Sequence, residues 1–428
     1  MRKKGQQARS VHHIAMVSRY AFCYSIFFIG ILIAACDGGS NNDDGALSRG
    51  GVSARLMPFS SDLELETYLK KQVTSSGNQD VDLVGDAAAE APSAESISGT
   101  NIQEVGVDEA DKIKTDGVYL YSAQTESVSI TQLNPLESMS VVATIPVAGL
   151  VRNLYLHEAT LLVLYDTFVR NLPDIIPENR HYPLTGVLLV DVSKPEDPII
   201  TRNTVLEGWL SATRRVENTL YVVTDFDPLG YCFTPLPVLD DVSPVAPLSV
   251  LPFEGAGSNQ VSIVAFDLTQ HDQPFTSLGY VGSVSVVYGA AQALYLVESQ
   301  VFFGDEVAQF DTPVVITPNV RSLRNRSTLI HKFRLAQGQL AWAASGAVEG
   351  TLLNQDLLRV ATTTSGEDIS NVFVLQEEGS ELNVIGSIEN IAPGEKIYAA
   401  RFVGDRGFLV TFERVDPLFT LDLSVPEE

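Results

Sequence analysis

Four carboxylates fall within nine residues: Asp108, Glu109, Asp111 and Asp116. Ca2+ takes several hard oxygen ligands, so this set is the candidate cation site. The spacing departs from that of an EF-hand loop. The same residues also suit turn capping and pairing with basic side chains of other strands, such as Arg359 or Arg401. A second acidic pair, Asp240 and Asp241, lies in the insertion 226–260, which also carries Pro228, Pro235, Pro237, Pro244, Pro247 and Pro252. Projecting loops of this kind often form binding surfaces. His157, His181, His271 and His331 are scattered without zinc-ligand spacing,. His331, between Ile330 and Lys332, reads as a structural residue within a strand. No serine stands in a Gly-x-Ser-x-Gly context, and no phosphate loop or dinucleotide fingerprint occurs,. No catalytic residue is assigned.

Cys36 carries a different chemistry. Arg2, Lys3, Lys4, Arg9 and Arg19 form a positive start, and residues 21–35 are apolar and uncharged. That run suits a signal segment and is shorter than a membrane span. It ends Leu32-Ile33-Ala34-Ala35-Cys36, followed by Asp37-Gly38-Gly39-Ser40. Small residues before a cysteine and a flexible tether after it resemble the bacterial lipoprotein signal, which implies lipidation at Cys36. Residues 1–35 are then the signal peptide, with Met16 as an alternative start. The implied product is exported and anchored by lipid to a membrane, facing the periplasm or the cell exterior. Of the remaining cysteines, Cys23 lies inside the signal, so Cys232 is alone in the mature chain and no internal disulfide is expected.

Composition agrees with an exported protein. Lys plus Arg number 28 against 53 Asp plus Glu, a formal charge of -25. Nucleic acid is excluded as a partner, because phosphate binding needs a basic surface.

The elements that must position these residues are mostly short strands. Residues 36–100 read as tether, short helix and disordered linker. The helix is expected over 62–73, capped by Ser60-Ser61-Asp62 and ending in Lys70-Lys71,. From Asn101 onward, six strand pairs superimpose, with first members starting at 117, 161, 219, 293, 357 and 407. Asp116-Gly117 between two β-type runs predicts a hairpin at the start of this array. No amphipathic helix intervenes, so a parallel sheet is disfavoured. With an inner strand before each pair and an outer strand after it, the array reads as an all-β propeller of about six four-stranded blades over residues 101–428. The sixth outer strand is missing, so the last blade is expected to be C-terminally incomplete. A β-sandwich is the alternative.

Several ordered pieces resemble the bacterial and archaeal family of secreted C-terminal β-propeller-domain proteins, whose function is uncharacterised. They are Thr100-Asn101-Ile102-Gln103 through Val107-Asp108-Glu109-Ala110-Asp111, Lys114-Thr115-Asp116-Gly117, His331-Lys332-Phe333, Gly350-Thr351-Leu352-Leu353-Asn354-Gln355, and Leu358-Arg359-Val360-Ala361-Thr362-Thr363. Ala392-Pro393-Gly394-Glu395-Lys396-Ile397-Tyr398, Arg401-Phe402 with Gly404-Asp405-Arg406, and Val410-Thr411-Phe412 leading to Asp416-Pro417-Leu418 complete the set. The chain departs from that family in having only Asp356-Leu357 between Gln355 and Leu358, and in ending soon after Asp422-Leu423-Ser424. The expected activity is that of a binding or scaffold module, with a protein or glycan partner in the cell envelope. The rival expectation is a metal-dependent hydrolase or lyase with acidic residues at the channel mouth.

Overall fold

The computed structural model describes residues 56, 59–61, 63–65, 67–68, 106–133, 139–169, 182–227, 238–239, 243–244, 247–250, 259–269, 276–301, 326–336, 339–350, 352, 370–393, 395–412 and 418–425. Cys36, Cys232, the acidic pair at 240–241, the linker and the strand expected over 357–363 lie outside the described residues.

The first described strand, β1 (Val107–Asp108), precedes the first blade. That blade is an antiparallel run of β2 (Ile113–Thr115), β3 (Tyr119–Ala123), β4 (Ser127–Gln132) and β5 (Ser140–Pro146). The second is β6 (Leu150–His157), β7 (Thr160–Val169), β8 (Tyr182–Asp191) and β9 (Ile199–Glu207). The third begins with β10 (Trp209–Val216) and β11 (Thr219–Phe226). The insertion then supplies β12 (Val238–Leu239), β13 (Ser243–Pro244) and β14 (Pro247–Val250), and β15 (Gln260–Asp267) and β16 (Thr276–Val281) complete the third blade. The fourth is β17 (Val286–Ala290), β18 (Ala293–Val301), β19 (Arg326–Ala336) and β20 (Gln339–Glu349). A hairpin of β21 (Ser370–Glu378) and β22 (Glu381–Ile391) joins β20 through the single parallel pair Ser345–Glu381. Last come β23 (Lys396–Val403), β24 (Arg406–Phe412) and β25 (Leu418–Asp422).

The central strands explain why the blades stack. A strand with one wet face alternates apolar with polar, but Leu161-Leu162-Val163-Leu164-Tyr165 is apolar throughout and fully buried,. Leu161, Val163 and Tyr165 pack with Tyr121, Val128 and Ile130 of the first blade. Leu162 and Leu164 point the other way, toward Leu220, Val222 and Phe266 of the third. The third blade repeats the device, turning Tyr221 and Val223 toward Leu294, Leu296 and Phe333 of the fourth. The far face of the fourth, with Val297 and Ile330, meets Val372, Leu382, Ile397, Leu409 and Leu421 from the last two sheets. Each apolar layer is thus a seam between consecutive blades. Within the repeated strands, Leu161, Val190, Tyr221, Phe266, Leu296 and Leu421 are buried, whereas Tyr119 and Val374 are only partly so.

Seam packing is tight enough to dictate glycine. Gly186 on β8 faces Tyr165 on β7, and a Cβ there would sit 2.0 Å from the ring. Tyr165 is held in place by its hydroxyl, which donates to Asn203 Oδ1 at 2.7 Å. Gly186→Ala should therefore cost about 1–3 kcal/mol in denaturant unfolding, the usual range for overpacking. An unchanged midpoint would contradict this packing.

Two segments do more than the sequence suggests. Ser61 Oγ accepts from the Glu64 amide and Glu64 Oε2 accepts from the Ser60 amide, a reciprocal cap at the expected helix start,. Leu65 of that short helix is fully buried beside Val281, and Leu56 joins the seam between the third and fourth blades. The insertion is not simply a projecting loop: β12 pairs with the outer strand β9, and β14 with the outer strand β16. It covers sheet edges that would otherwise offer unpaired backbone groups.

Candidate functional site

The acidic motif sits where the first strands of the blades converge. Backbone pairing places it: Val107 and Asp108 pair with Val216 and Arg215 of the third blade. Asp111 exchanges backbone hydrogen bonds with Leu154 of the second, at 3.1 and 2.7 Å, before the chain enters the first blade. Five residues thereby bridge three blades.

Their carboxylates meet cations. Lys114 Nζ lies 3.1 Å from Asp108 Oδ1 and donates to the Glu109 carbonyl at 2.8 Å. Arg215 donates to Asp108 Oδ2 through Nε at 3.2 Å and Nη2 at 3.0 Å. Glu109 Oε1 is 3.6 Å from Arg214 Nε, and Arg214 Nη2 donates to the Val287 carbonyl of the fourth blade at 2.9 Å. Side-chain exposures of 9%, 17% and 18% for Lys114, Asp108 and Arg215 mark this as an interior network. The Lys114 ammonium also lies 5.5 Å over the Tyr155 ring, whose hydroxyl donates to Thr213 Oγ1 at 3.0 Å.

Asp111 and Asp116 stand apart from it. Asp111 Oδ1 accepts from the Lys112 amide. Asp116 Oδ1 accepts from the amides of Val118 and Tyr119 at 2.9 and 2.7 Å, and Oδ2 from the Tyr121 hydroxyl at 3.3 Å. The expected Asp-Gly hairpin is formed, with Gly117 at φ 89°,. The basic partners of the motif are Lys114, Arg214 and Arg215; Arg401 is exposed and Arg359 lies outside the described residues. Among the described residues, no three His, Cys, Asp or Glu side chains converge in a metal-binding group.

A second cluster lies at the seam of the third and fourth blades. Asn259 Nδ2 donates to Asp225 Oδ1 at 2.9 Å, and Ser283 Oγ donates to Glu298 Oε1 at 3.2 Å. Burial pushes the Asp225 carboxyl up to about 6, against the opposing hydrogen bonds from Asn259 and the Val284 amide; Asp227 and Glu298 add to the rise. His331 is fully buried, shares a 2.7 Å hydrogen bond with Ser345 Oγ, and is held neutral by desolvation, its pKa lowered to about 3. That fits the structural role expected of it.

Sequence reasoning missed a cavity of about 400 Å3 between the fourth blade, the β21–β22 hairpin and the last sheet. Tyr288 and Tyr295 form one aromatic corner, ring centroids 6.0 Å apart and tilted by 54°, and Phe373 of β21 contributes a third ring. Lys332 Nζ lies 3.0 Å from Glu377 Oε2 and 5.5 Å over the Tyr295 ring. Arg334 also pairs with Glu377, and exposed Asp405 stands at the rim on the β23–β24 turn. These residues come from positions 288 to 405, so no local pattern could have grouped them.

A family model described as the β-propeller domain matches residues 97–428. The chain belongs to the β-propeller domain family. The match takes in the acidic motif and every residue of the cavity. An uncharacterised Methanocaldococcus jannaschii protein, MJ1554, is 24% identical over 94% of the chain and 74% of its own length. An uncharacterised Archaeoglobus fulgidus protein is 43% identical over a shorter stretch, 23% of the chain and 17% of its own length; the chain thus spans only a small part of that relative. Among solved structures, the N-terminal domain of Nup159 aligns at TM-score 0.30 and 10% identity over 76% of each chain. A Pyrococcus horikoshii acylaminoacyl peptidase aligns at 0.28 and 11% over 73% of this chain and 44% of that one. Likeness at that level carries no functional inference. Among the described residues of the propeller, no helix is long and apolar enough to cross a membrane.

Proposed function

We propose that this propeller is a lipid-anchored, extracytoplasmic binding module that holds a small ligand, or a side group of a larger one, between its fourth blade and the last two sheets. The cavity carries the reading. It combines a volume typical of small-molecule sites, roughly 300–1,000 Å3, with aromatic walls and a few convergent charged groups,. One wall is rigid, because the fourth-blade strands that line the cavity are packed on their other face against the third blade. A fragment screen by protein-observed NMR tests the binding half. Hits should perturb signals of Tyr295 and Phe373, and the perturbations should disappear in Tyr295→Ala. Hits scattered over the surface would contradict it.

The anchoring half rests on Leu32-Ile33-Ala34-Ala35-Cys36 and the polar residues after it. Two signals are generally needed for stable anchoring, and diacylated cysteine supplies them. Cys36→Ser should abolish membrane fractionation and leave precursor or released protein. Membrane-bound variant of normal mature size would contradict lipidation.

A further inference from the structure

The charges inside the cavity narrow its ligand. Lys332 and Glu377 form a pair of side chains with 21% and 19% exposure, and Arg334 lies against the same carboxylate. A cationic ligand that took Glu377 would strand Lys332, and an anionic ligand that took Lys332 would leave Glu377 only the exposed Arg334, a solvent-screened partner,. Losing one partner of such a half-buried pair is costly. A neutral ligand with hydroxyl groups avoids this conflict. Its hydroxyls can donate to the Glu377 carboxylate and accept from the Lys332 ammonium while the pair stays intact, because a hydroxyl does both. The remaining surface demands the opposite chemistry. Tyr295 and Phe373, both only partly buried, present flat apolar area that gains only when covered by C–H surface, and nearly buried Tyr288 closes the corner behind Tyr295,. Asp405, exposed at the rim, adds one more acceptor for a hydroxyl at the mouth. A molecule with hydroxyls on its edge and C–H groups on its face meets both demands.

On the binding reading above, we infer that the cavity recognises a neutral pyranose, the terminal or penultimate sugar of a glycan. The ring stacks on the Tyr288–Tyr295 corner or on Phe373, and its hydroxyls bridge Lys332, Glu377 and Asp405. Binding should be nearly independent of salt, since no ligand charge is neutralised.

The test is isothermal titration of the full chain, purified in an amine-oxide detergent so that no sugar headgroup competes. The probes are glucose, galactose, mannose, N-acetylglucosamine and their disaccharides, with p-cresol as a neutral aromatic and benzylamine as a cationic one. At least one saccharide should bind, at least tenfold more weakly in Tyr288→Ala and Glu377→Gln, and measurably more weakly in Asp405→Asn. Asp405 is exposed on a turn, so that variant should stay folded even if a wall substitution does not. Binding of p-cresol or benzylamine with the same sensitivity to Tyr288→Ala, but of no saccharide, would overturn the sugar and leave the binding module standing. No binding of any probe to folded protein would overturn both.

Discussion

Asp108→Ala should lower the unfolding free energy by about 3 kcal/mol, as expected when one partner of a buried ion pair is removed and the other charges remain. Two cations lose their counter-charge at once, Lys114 at 3.1 Å and Arg215 at 3.0 Å, with side chains only 9% and 18% exposed. The effect should spread beyond the motif, since Val107 and Asp108 pair with the third blade while Asp111 pairs with the second. Arg215→Ala should cost a similar amount, and the double variant should cost less than the sum, because the two residues share one interaction. Denaturant unfolding of the four proteins measures this directly. A loss below about 0.5 kcal/mol, the range of ordinary surface substitutions, would show that the network is not interior in solution.

Asp225→Asn should act in the opposite direction. The folded protein holds the Asp225 proton up to about pH 6, whereas an ordinary aspartate releases it near 3.8. The folded state therefore binds more protons than the unfolded state between those values. Stability from this group is fully present at low pH and is lost as pH rises toward 6. Above pH 6 the buried carboxylate costs about 2 kcal/mol, after allowing for its partial exposure. Asparagine keeps an oxygen for the Asn259 amide donor and removes the charge. The variant should be more stable than the parent at pH 8 and nearly equal at pH 4, as thermal unfolding at the two values would show. Equal stability at both, or a deficit at pH 8, would contradict a desolvated carboxylate at this seam.

The blades were legible because their chemistry is local. Leu161-Leu162-Val163-Leu164-Tyr165, one of a series of short apolar runs with no amphipathic helix between them, reads as a strand buried on both faces, and Asp116-Gly117 between two β-type runs reads as a turn,. The expected strand starts at Thr219 and Ala293 coincide with those of β11 and β18. The pairing of β1 with the third blade was not legible. Val107 and Asp108 are two residues whose partner lies more than a hundred positions away, and nothing in their own pattern names it. One clue existed: Asp108-Glu109 is an adjacent acidic pair, and Arg214-Arg215 is an adjacent basic pair in an otherwise apolar and polar strand. Charges in the interior demand partners, so two such pairs in one domain suggest each other. The cavity lay further out of reach. Tyr288, Lys332, Phe373 and Asp405 sit on separate elements, each of which reads alone as ordinary strand or turn. The role of the insertion was also hidden, since prolines mark edge positions as readily as free loops.

The most direct test of the binding claim is 19F NMR of the protein with 3-fluorotyrosine in place of Tyr295 alone, titrated with the saccharide panel. Tyr295 stands in the cavity wall under the Lys332 ammonium, so an occupant must change its environment. The same label at Tyr221, buried in the seam of the third and fourth blades, serves as the control. A saturable shift at position 295, with position 221 unmoved, is the expected result. No shift at 295, or equal shifts at both, would contradict a ligand site between the fourth blade and the last two sheets.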